Sequence, residues 1–171
     1  ATIAILLGNI SDMEEELEAV DNVIEMYYMM FVQIQNDINW QNQTRDLAGA
    51  YLVNADLTSA NLAGGYLSYT NLSSADLRYA DLRDASLWEA DLTGANLTGA
   101  DLTDAYMYYA NLSSANLRDV DLSNAYLVNA DLTGAFLWQA DLTGANLTGV
   151  NWDWATCPDG TAAYYHGQTC E

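Results

Sequence analysis

A leucine recurs at every fifth position of this chain, and no other feature constrains the fold as strongly. From Leu47 to Trp152 the series runs through 22 successive blocks without an insertion, and Met107 and Trp152 are its departures from leucine. An alanine usually precedes each leucine by two positions, with aspartate or asparagine between them. A period of five matches neither an α-helix nor a β-strand. The backbone must therefore turn every five residues, and successive turns must stack to bury the leucine and alanine side chains.

The blocks ADLTG (90–94), ANLTG (95–99) and ANLSS (110–114) resemble the pentapeptide repeat family, whose pattern is A-(D/N)-L-x-x. The resemblance implies an all-β solenoid, a right-handed quadrilateral β-helix with four blocks in each coil. Residues 45–154 would then form about five and a half coils, a rod of about 26 Å at the spacing of stacked strands. Residues 1–44 and 155–171 depart from the pattern, and we expect them to form an N-terminal helical segment and a C-terminal cap.

If each coil holds four blocks, blocks whose central residues differ by 20 lie above one another on one face. The face through Leu67, Leu87, Met107 and Leu127 is called here the aromatic face. Its outward positions form an aromatic stripe of eight residues: Tyr66, Tyr69, Trp88, Tyr106, Tyr108, Tyr109, Tyr126 and Val128. An apolar patch of this kind predicts a contact surface. The occupant is the chain's own N-terminal segment, a second copy of the chain, or a foreign partner.

The face through Leu62, Leu82, Leu102 and Leu122 is called here the acidic face. Its outward positions carry a ladder of aspartates, with Arg83 in compensation: Asp81, Asp84, Asp101, Asp104 and Asp121. Short carboxylates at these positions predict hydrogen bonds to nearby backbone groups in turns. A calcium ion would need six to eight oxygen ligands converging on one point. We therefore predict a turn-forming role for these aspartates and no metal site.

The segment 1–44 contains a predicted helix of about 28 residues, which would be about 42 Å long. It begins at the capping sequence Ser11-Asp12-Met13-Glu14. Apolar residues then recur at alternating spacings of 4 and 3, the pattern of a coiled-coil seam: Met13, Leu17, Val20, Ile24, Tyr27, Phe31, Ile34 and Ile38. Because the helix would outreach the rod, we predict that it caps the first coil and joins two copies into a homodimer.

The C-terminal segment 155–171 contains both cysteines of the chain. Cys157 and Cys170 enclose a short loop with glycine and proline, which favours a disulfide and an oxidising compartment. The alternative is a metal site that adds His166, although three ligands fall short of a closed zinc site. We predict a disulfide-closed cap, with Trp152 plugging the interior of the solenoid.

The charge and the residue types narrow the possible functions. The net charge is −20, with four arginines and no lysine, so nucleic acid and anionic lipid are not expected partners. No apolar run approaches the roughly 20 residues of a membrane span. The single histidine and both cysteines lie in the C-terminal tail, and no glycine loop resembles a phosphate cradle. We predict no enzymatic activity and no cofactor.

The resemblance implies two non-enzymatic functions. Exported family members of cyanobacteria and other bacteria, found in the periplasm or thylakoid lumen, are presumed scaffolds or binding proteins. The lysine-free acidic composition and the cysteine pair resemble that group, so we predict an exported scaffold with an unknown protein partner. The alternative is a cytoplasmic acidic rod that imitates DNA and binds DNA gyrase. The charge and a dimer suit that alternative, whereas the disulfide and the aromatic stripe oppose it.

Overall fold

Coils of 20 residues stack along a single axis in the computed structural model, which describes residues 46–161 and Cys170. Each block pairs through one residue, the one before its central position, with the residue 20 places later in the chain. These isolated parallel bridges run from Asp46↔Tyr66 to Phe136↔Thr156. No α-helix and no strand longer than a bridge occurs between residues 46 and 161. The predicted four-block coil is confirmed, and we call one level of a face a rung.

The backbone of each block is hydrogen-bonded both to the adjacent coils and to itself. The N–H groups of Leu52 and Asn54 donate to the carbonyls of Asn71 and Ser73, at 2.7 and 3.0 Å. The N–H of Ala55 donates back to the carbonyl of Leu52 at 3.1 Å, which closes a β-turn inside the block. This pattern recurs along the rod and leaves the N–H of the residue after the central one for a side chain. The N–H of Thr93, for example, donates to the carboxylate of Asp91 at 3.0 Å.

The third residue of each turn adopts a positive φ, the type II pattern. Glycine fills this position in several blocks, as at Gly94 with φ 65°, because glycine has no Cβ to clash in the left-handed region. Asparagine fills it elsewhere, as at Asn129 with φ 57°. Every block therefore requires a positive φ at this position, whichever residue occupies it.

The predicted interior of leucine and alanine is confirmed. The central side chains from Leu62 to Leu137 have no exposed surface, and Met107 packs in the same way. Thr70 occupies one of the alanine positions and is fully buried, and its hydroxyl donates to the carbonyl of Leu47 at 2.7 Å. The one buried polar side chain of the described core is thus satisfied.

At the C-terminal end Trp152 takes the central position and is 5% exposed, as predicted for a plug. A disulfide joins Cys157 to Cys170 with a Cα–Cα distance of 5.1 Å. The sulfurs are thereby occupied and unavailable to the alternative metal site. The third ligand of that alternative, His166, lies outside the described residues. So do the predicted helix seam from Met13 to Ile38 and the capping sequence at its start.

Candidate functional site

The aromatic stripe lies on one face of the solenoid, as its 20-residue spacing predicts. Parallel bridges connect Tyr66 to Ser86, Ser86 to Tyr106, and Tyr106 to Tyr126, so these four residues form one column with one member on each rung. Tyr66 is 60% exposed and Tyr106 is 43% exposed. A second column runs through Ser68, Trp88, Tyr108 and Val128, and a third through Tyr69, Glu89, Tyr109 and Asn129.

The rings at the centre of the stripe contact one another across rungs. The rings of Tyr106 and Tyr126 stack with centroids 5.1 Å apart and planes 2° apart. Tyr108 stacks on Tyr126 at 5.9 Å and lies 6.5 Å from Trp88 in a tilted arrangement. The indole N–H of Trp88 donates to the carboxylate of Glu89 at 3.1 Å. The structure therefore brings four of the predicted residues together as a chain of ring contacts, Trp88, Tyr108, Tyr126 and Tyr106, and places the others on the same face.

Two tyrosines of the stripe sit in strained backbone positions. Tyr69 and Tyr109 occupy the third turn position with φ values of 61° and 58°, where glycine or asparagine is the comfortable choice. A bulky side chain in the left-handed region costs about 1–2 kcal/mol. Both phenols nevertheless point into solvent, at 59% and 54% exposure. Tyr79 and Trp154 hold the same conformation on other faces, with φ values of 59° and 64°, so the strain is a feature of the turn position and is shared by the stripe.

A polar notch interrupts the stripe between Tyr66 and Tyr106. Ser86 takes the rung between these two tyrosines. Its hydroxyl lies 2.8 Å from the hydroxyl of Ser68, a hydrogen-bonded pair that is partly buried. Trp88 follows two residues after Ser86 on the same rung. The sequence analysis did not predict this notch. The signal was present, because Ser86 stands in a column whose other members are Tyr66, Tyr106 and Tyr126.

Three aspartates of the acidic face, Asp81, Asp101 and Asp121, accept hydrogen bonds within turns, as predicted. Asp101 accepts the N–H and the hydroxyl of Thr103 at 3.0 and 2.7 Å, and Asp121 accepts the N–H of Ser123 at 2.9 Å. Arg83 contacts Asp81 at 2.6 Å and Asp101 at 3.5 Å. Its hydrogen bond to Asp81 raises the pKa of the Arg83 guanidinium.

Asp84 and Asp104 differ from the other members of the ladder, because they occupy third turn positions with φ values of 57° and 58°. Among the residues that the structure describes, no group of three or more histidine, cysteine or acidic side chains is arranged to hold a metal ion. The ladder is therefore a regular row of turn residues.

Aromatic residues outside the stripe form smaller contacts that sequence reasoning missed. On the face that follows Leu117 and Leu137, the guanidinium carbon of Arg118 lies 4.8 Å from the ring centroid of Trp138. Arg118 and Trp138 are one rung apart. The ring of Tyr79 lies so close to Gly99 that a Cβ at that glycine would meet it at 2.8 Å. Both contacts depend on side-chain orientation, which the repeat pattern does not encode.

An open concavity lies at the C-terminal end, lined by residues 140–150 together with Trp152, Pro158 and Cys170. Asp141 is the one carboxylate in this lining, and Cys170 is held in the disulfide. A lone carboxylate without an acid–base partner does not make a catalytic pair. In the part of the chain that the structure covers, no helix is both long enough and apolar enough to cross a membrane.

The stacked coils define the class of protein as a β-helical solenoid. The chain belongs to the pentapeptide repeat family, whose model matches eight copies over residues 46–78, 70–107, 80–119 and 110–149. The family predicted from the sequence is confirmed. The similarity of the chain to solved members of the family indicates that the solenoid is right-handed. A search for relatives among curated proteins found no match.

Solved structures of this family from a cyanobacterium are similar to the chain. HetL of Nostoc sp. strain PCC 7120, described as involved in the regulation of heterocyst differentiation, is 38% identical with a TM-score of 0.59. The match covers 69% of this chain and 64% of HetL, so the chain spans less than two thirds of that protein.

A second Nostoc protein, alr5209, is 36% identical over 74% of this chain and 93% of its own length, with a TM-score of 0.52. A third relative comes from the thylakoid lumen of Arabidopsis thaliana and is 34% identical over 54% of this chain and 64% of its own. Its TM-score is 0.34.

Proposed function

We propose that this protein is a non-enzymatic scaffold that binds another protein through the aromatic stripe. The observation that carries the proposal is the clustering of seven aromatic side chains on one face of the rod. The other exposed aromatic residues are scattered over the remaining faces: Tyr51, Tyr79, Phe136, Trp138 and Trp154. Tyr66, Trp88 and Tyr109 are 60%, 46% and 54% exposed. Aromatic side chains are enriched at the centres of protein interfaces, because they bury a large area with little loss of conformational freedom.

The strained turns support the same proposal. Asn129 shows that the column of Tyr109 accepts a residue suited to a positive φ. Selection for stability alone would favour asparagine or glycine at residue 109 as well. Tyr79 has the same positive φ of 59° on another face, where its ring lies against Gly99. The strain at Tyr109 therefore supports the proposal through its place beside the stacked rings of the stripe.

The proposal places the protein in an oxidising compartment, the periplasm or the thylakoid lumen. The Cys157–Cys170 disulfide supports this location, since disulfides persist where thiols are not kept reduced. Alkylation of free thiols inside living cells, before lysis, tests it. We expect both cysteines to resist alkylation, and two reactive thiols would contradict an exported location.

A homodimer through the predicted helix seam is a further part of the proposal and rests on the heptad spacing alone. Light scattering of the full chain would give the mass of the assembly. We expect twice the chain mass for the native protein and the single mass for a variant with Val20→Glu and Ile24→Glu. A monomeric native protein would contradict the dimer.

A DNA-mimicking gyrase inhibitor is the second candidate, and the acidic face is the observation that favours it. Asp81, Asp101 and Asp121 form one column on three successive rungs, and the net charge is −20. The disulfide and the aromatic stripe oppose it, because imitation of DNA requires neither. A supercoiling assay with purified gyrase decides: inhibition would favour this candidate, and unimpaired supercoiling at micromolar protein would exclude it.

Crosslinking in the native cell tests the binding surface. A stripe variant carries Trp88→Thr, Tyr106→Asn and Tyr109→Asn, each a residue type that the same position holds in other blocks. A matched control carries Asp91→Asn and Thr93→Ser on the next face. We expect one defined crosslinked product from the native protein and the control, and its loss from the stripe variant. Equal yields from all three proteins would contradict the proposed surface.

A further inference from the structure

The notch in the aromatic stripe has the dimensions of one planar group. Successive rungs of stacked strands lie about 4.8 Å apart, so Tyr66 and Tyr106 lie about 9.6 Å apart in their column. Tyr106 and Tyr126, on adjacent rungs, stack their rings at 5.1 Å. Ser86 leaves one such ring position open between Tyr66 and Tyr106. A planar group inserted there would lie at about the same stacking distance from both tyrosines.

The chemistry of the notch favours a planar cation. The paired hydroxyls of Ser68 and Ser86 offer hydrogen-bond acceptors at its base. The exposed carboxylate of Glu89, three residues after Ser86 on the same rung, adds negative charge. The guanidinium group of arginine is planar, stacks on aromatic faces and carries five N–H donors. A lysine ammonium has the charge but lacks the plane.

The molecule already contains a stacking contact of this kind. The guanidinium of Arg118 lies over the ring of Trp138 with its central carbon 4.8 Å from the ring centroid. These residues are one rung apart on another face. The rung spacing of this solenoid therefore accommodates a guanidinium stacked on an aromatic ring.

The charge of the chain argues for the same kind of partner. With 24 acidic and four basic residues, the protein attracts basic surfaces over several ångströms and repels acidic ones. We propose that the notch formed by Tyr66, Ser68, Ser86 and Tyr106 receives an arginine side chain from a basic partner protein. This inference rests on the proposed function, because it names the chemistry that the aromatic stripe recognises.

Two short peptides test the inference directly. One is an acetylated, amidated Gly-Arg-Gly-Arg-Gly peptide, and the other has lysine in place of both arginines. Both are titrated into the full-length protein at 150 mM salt while amide NMR shifts on the aromatic face are followed. We expect the arginine peptide to bind about threefold to fivefold more tightly, because the planar guanidinium stacks between two rings and donates several hydrogen bonds, which the ammonium of lysine does not. Equal affinities would overturn the inference and show attraction by charge alone.

Three variants test whether the preference for the arginine peptide arises at the notch. Ser86→Tyr fills the notch with the residue that flanks it, and we expect the affinity ratio to fall to about one. Asn111→Tyr places the same ring at the equivalent position of the next face and should leave the ratio unchanged. Tyr106→Asn removes one wall of the notch and should lower the ratio without filling the space. A ratio that survives both Ser86→Tyr and Tyr106→Asn would overturn the inference.

The peptide titration and the crosslinking experiment can fail independently, so failure of the arginine notch is distinguishable from failure of the proposed function. If the crosslinked product depends on the aromatic stripe while the peptides bind equally, the scaffold stands and the arginine notch is wrong. If no product depends on the stripe, the proposed function fails whatever the peptide ratio is.

Discussion

Tyr106 and Tyr126 stack almost parallel across one rung of the solenoid, with ring centroids 5.1 Å apart and planes 2° apart. The backbone spacing of the coils sets this distance, because the two residues are a bridge pair. A stack fixed by the fold presents its rings in a defined orientation before any partner arrives. Pre-organisation of this kind lowers the entropy lost on binding.

The stack should be measurable as a coupling energy. We expect Tyr106→Asn and Tyr126→Asn to be non-additive in the free energy of unfolding by about 0.5–1.5 kcal/mol, the value of an aromatic pair. Urea unfolding of both single variants and the double variant gives the coupling. Tyr51→Asn combined with Tyr106→Asn, on different faces, serves as the control and should be additive. Additivity of the stacked pair would show that the rings do not interact in solution.

The strained turn at Tyr109 predicts a stabilising substitution. Tyr109→Asn should raise the free energy of unfolding by about 1 kcal/mol, because asparagine tolerates the φ of 58°. The reverse change in the same column, Asn129→Tyr, should lower it by a similar amount. Thermal unfolding of the two variants measures both effects. Loss of stability in Tyr109→Asn would mean that the phenol contributes contacts that outweigh the strain.

The packed interior predicts a contrast between two core substitutions. Leu102 is fully buried, and Leu102→Ala should cost about 2–5 kcal/mol through lost contacts and a cavity. Met107 is also fully buried in a column of leucines, and Met107→Leu should change stability by less than about 1.5 kcal/mol. Chemical unfolding followed by circular dichroism distinguishes the two. A small effect of Leu102→Ala would argue against a close-packed column.

Asp141 predicts a pH dependence with a defined sign. Its hydrogen bonds to Thr143 lower the pKa of Asp141 below the ordinary value of 3.8. The stabilisation is complete above that value and declines as the pH falls through the lowered pKa, because the unfolded chain binds the proton first. Asn146 holds Thr148 through the same kind of bond, so Asp141→Asn should keep the turn. We expect a shallower loss of stability in the variant as the pH falls below 3.8, measured by thermal unfolding. Parallel curves for the two proteins would contradict this role.

Much of the solenoid could be predicted from the sequence because one period governs it. The spacing of Leu47 and its successors identified the buried positions, and the 20-residue coil placed the stripe residues on one face. The signal for positive φ was also present, since Gly94, Gly99 and Gly134 share the turn position of Tyr109. Each of these inferences depends only on backbone repetition, which a sequence displays directly.

The details of the surface could not be predicted in the same way. The stacking of Tyr106 on Tyr126 and the hydroxyl pair of Ser68 and Ser86 depend on side-chain rotamers. A five-residue pattern determines the position of each Cα atom on the solenoid, but it does not determine the rotamer of the side chain. The helix seam and the homodimer stay predictions, because heptad spacing indicates a helix and does not identify its partner.

Tyrosine labelling in living cells tests the central claim most directly, because the chain supplies its own controls. Tyr66, Tyr69 and Tyr109 lie in the stripe, and Tyr51 and Tyr79 are exposed at 79% and 64% on other faces. Phenol acetylation would be quantified by mass spectrometry in the purified protein and in cells. The account predicts equal labelling of all five in the purified protein and protection of the stripe tyrosines alone in cells. Equal labelling in both settings, or protection of Tyr51 and Tyr79 as well, would contradict it.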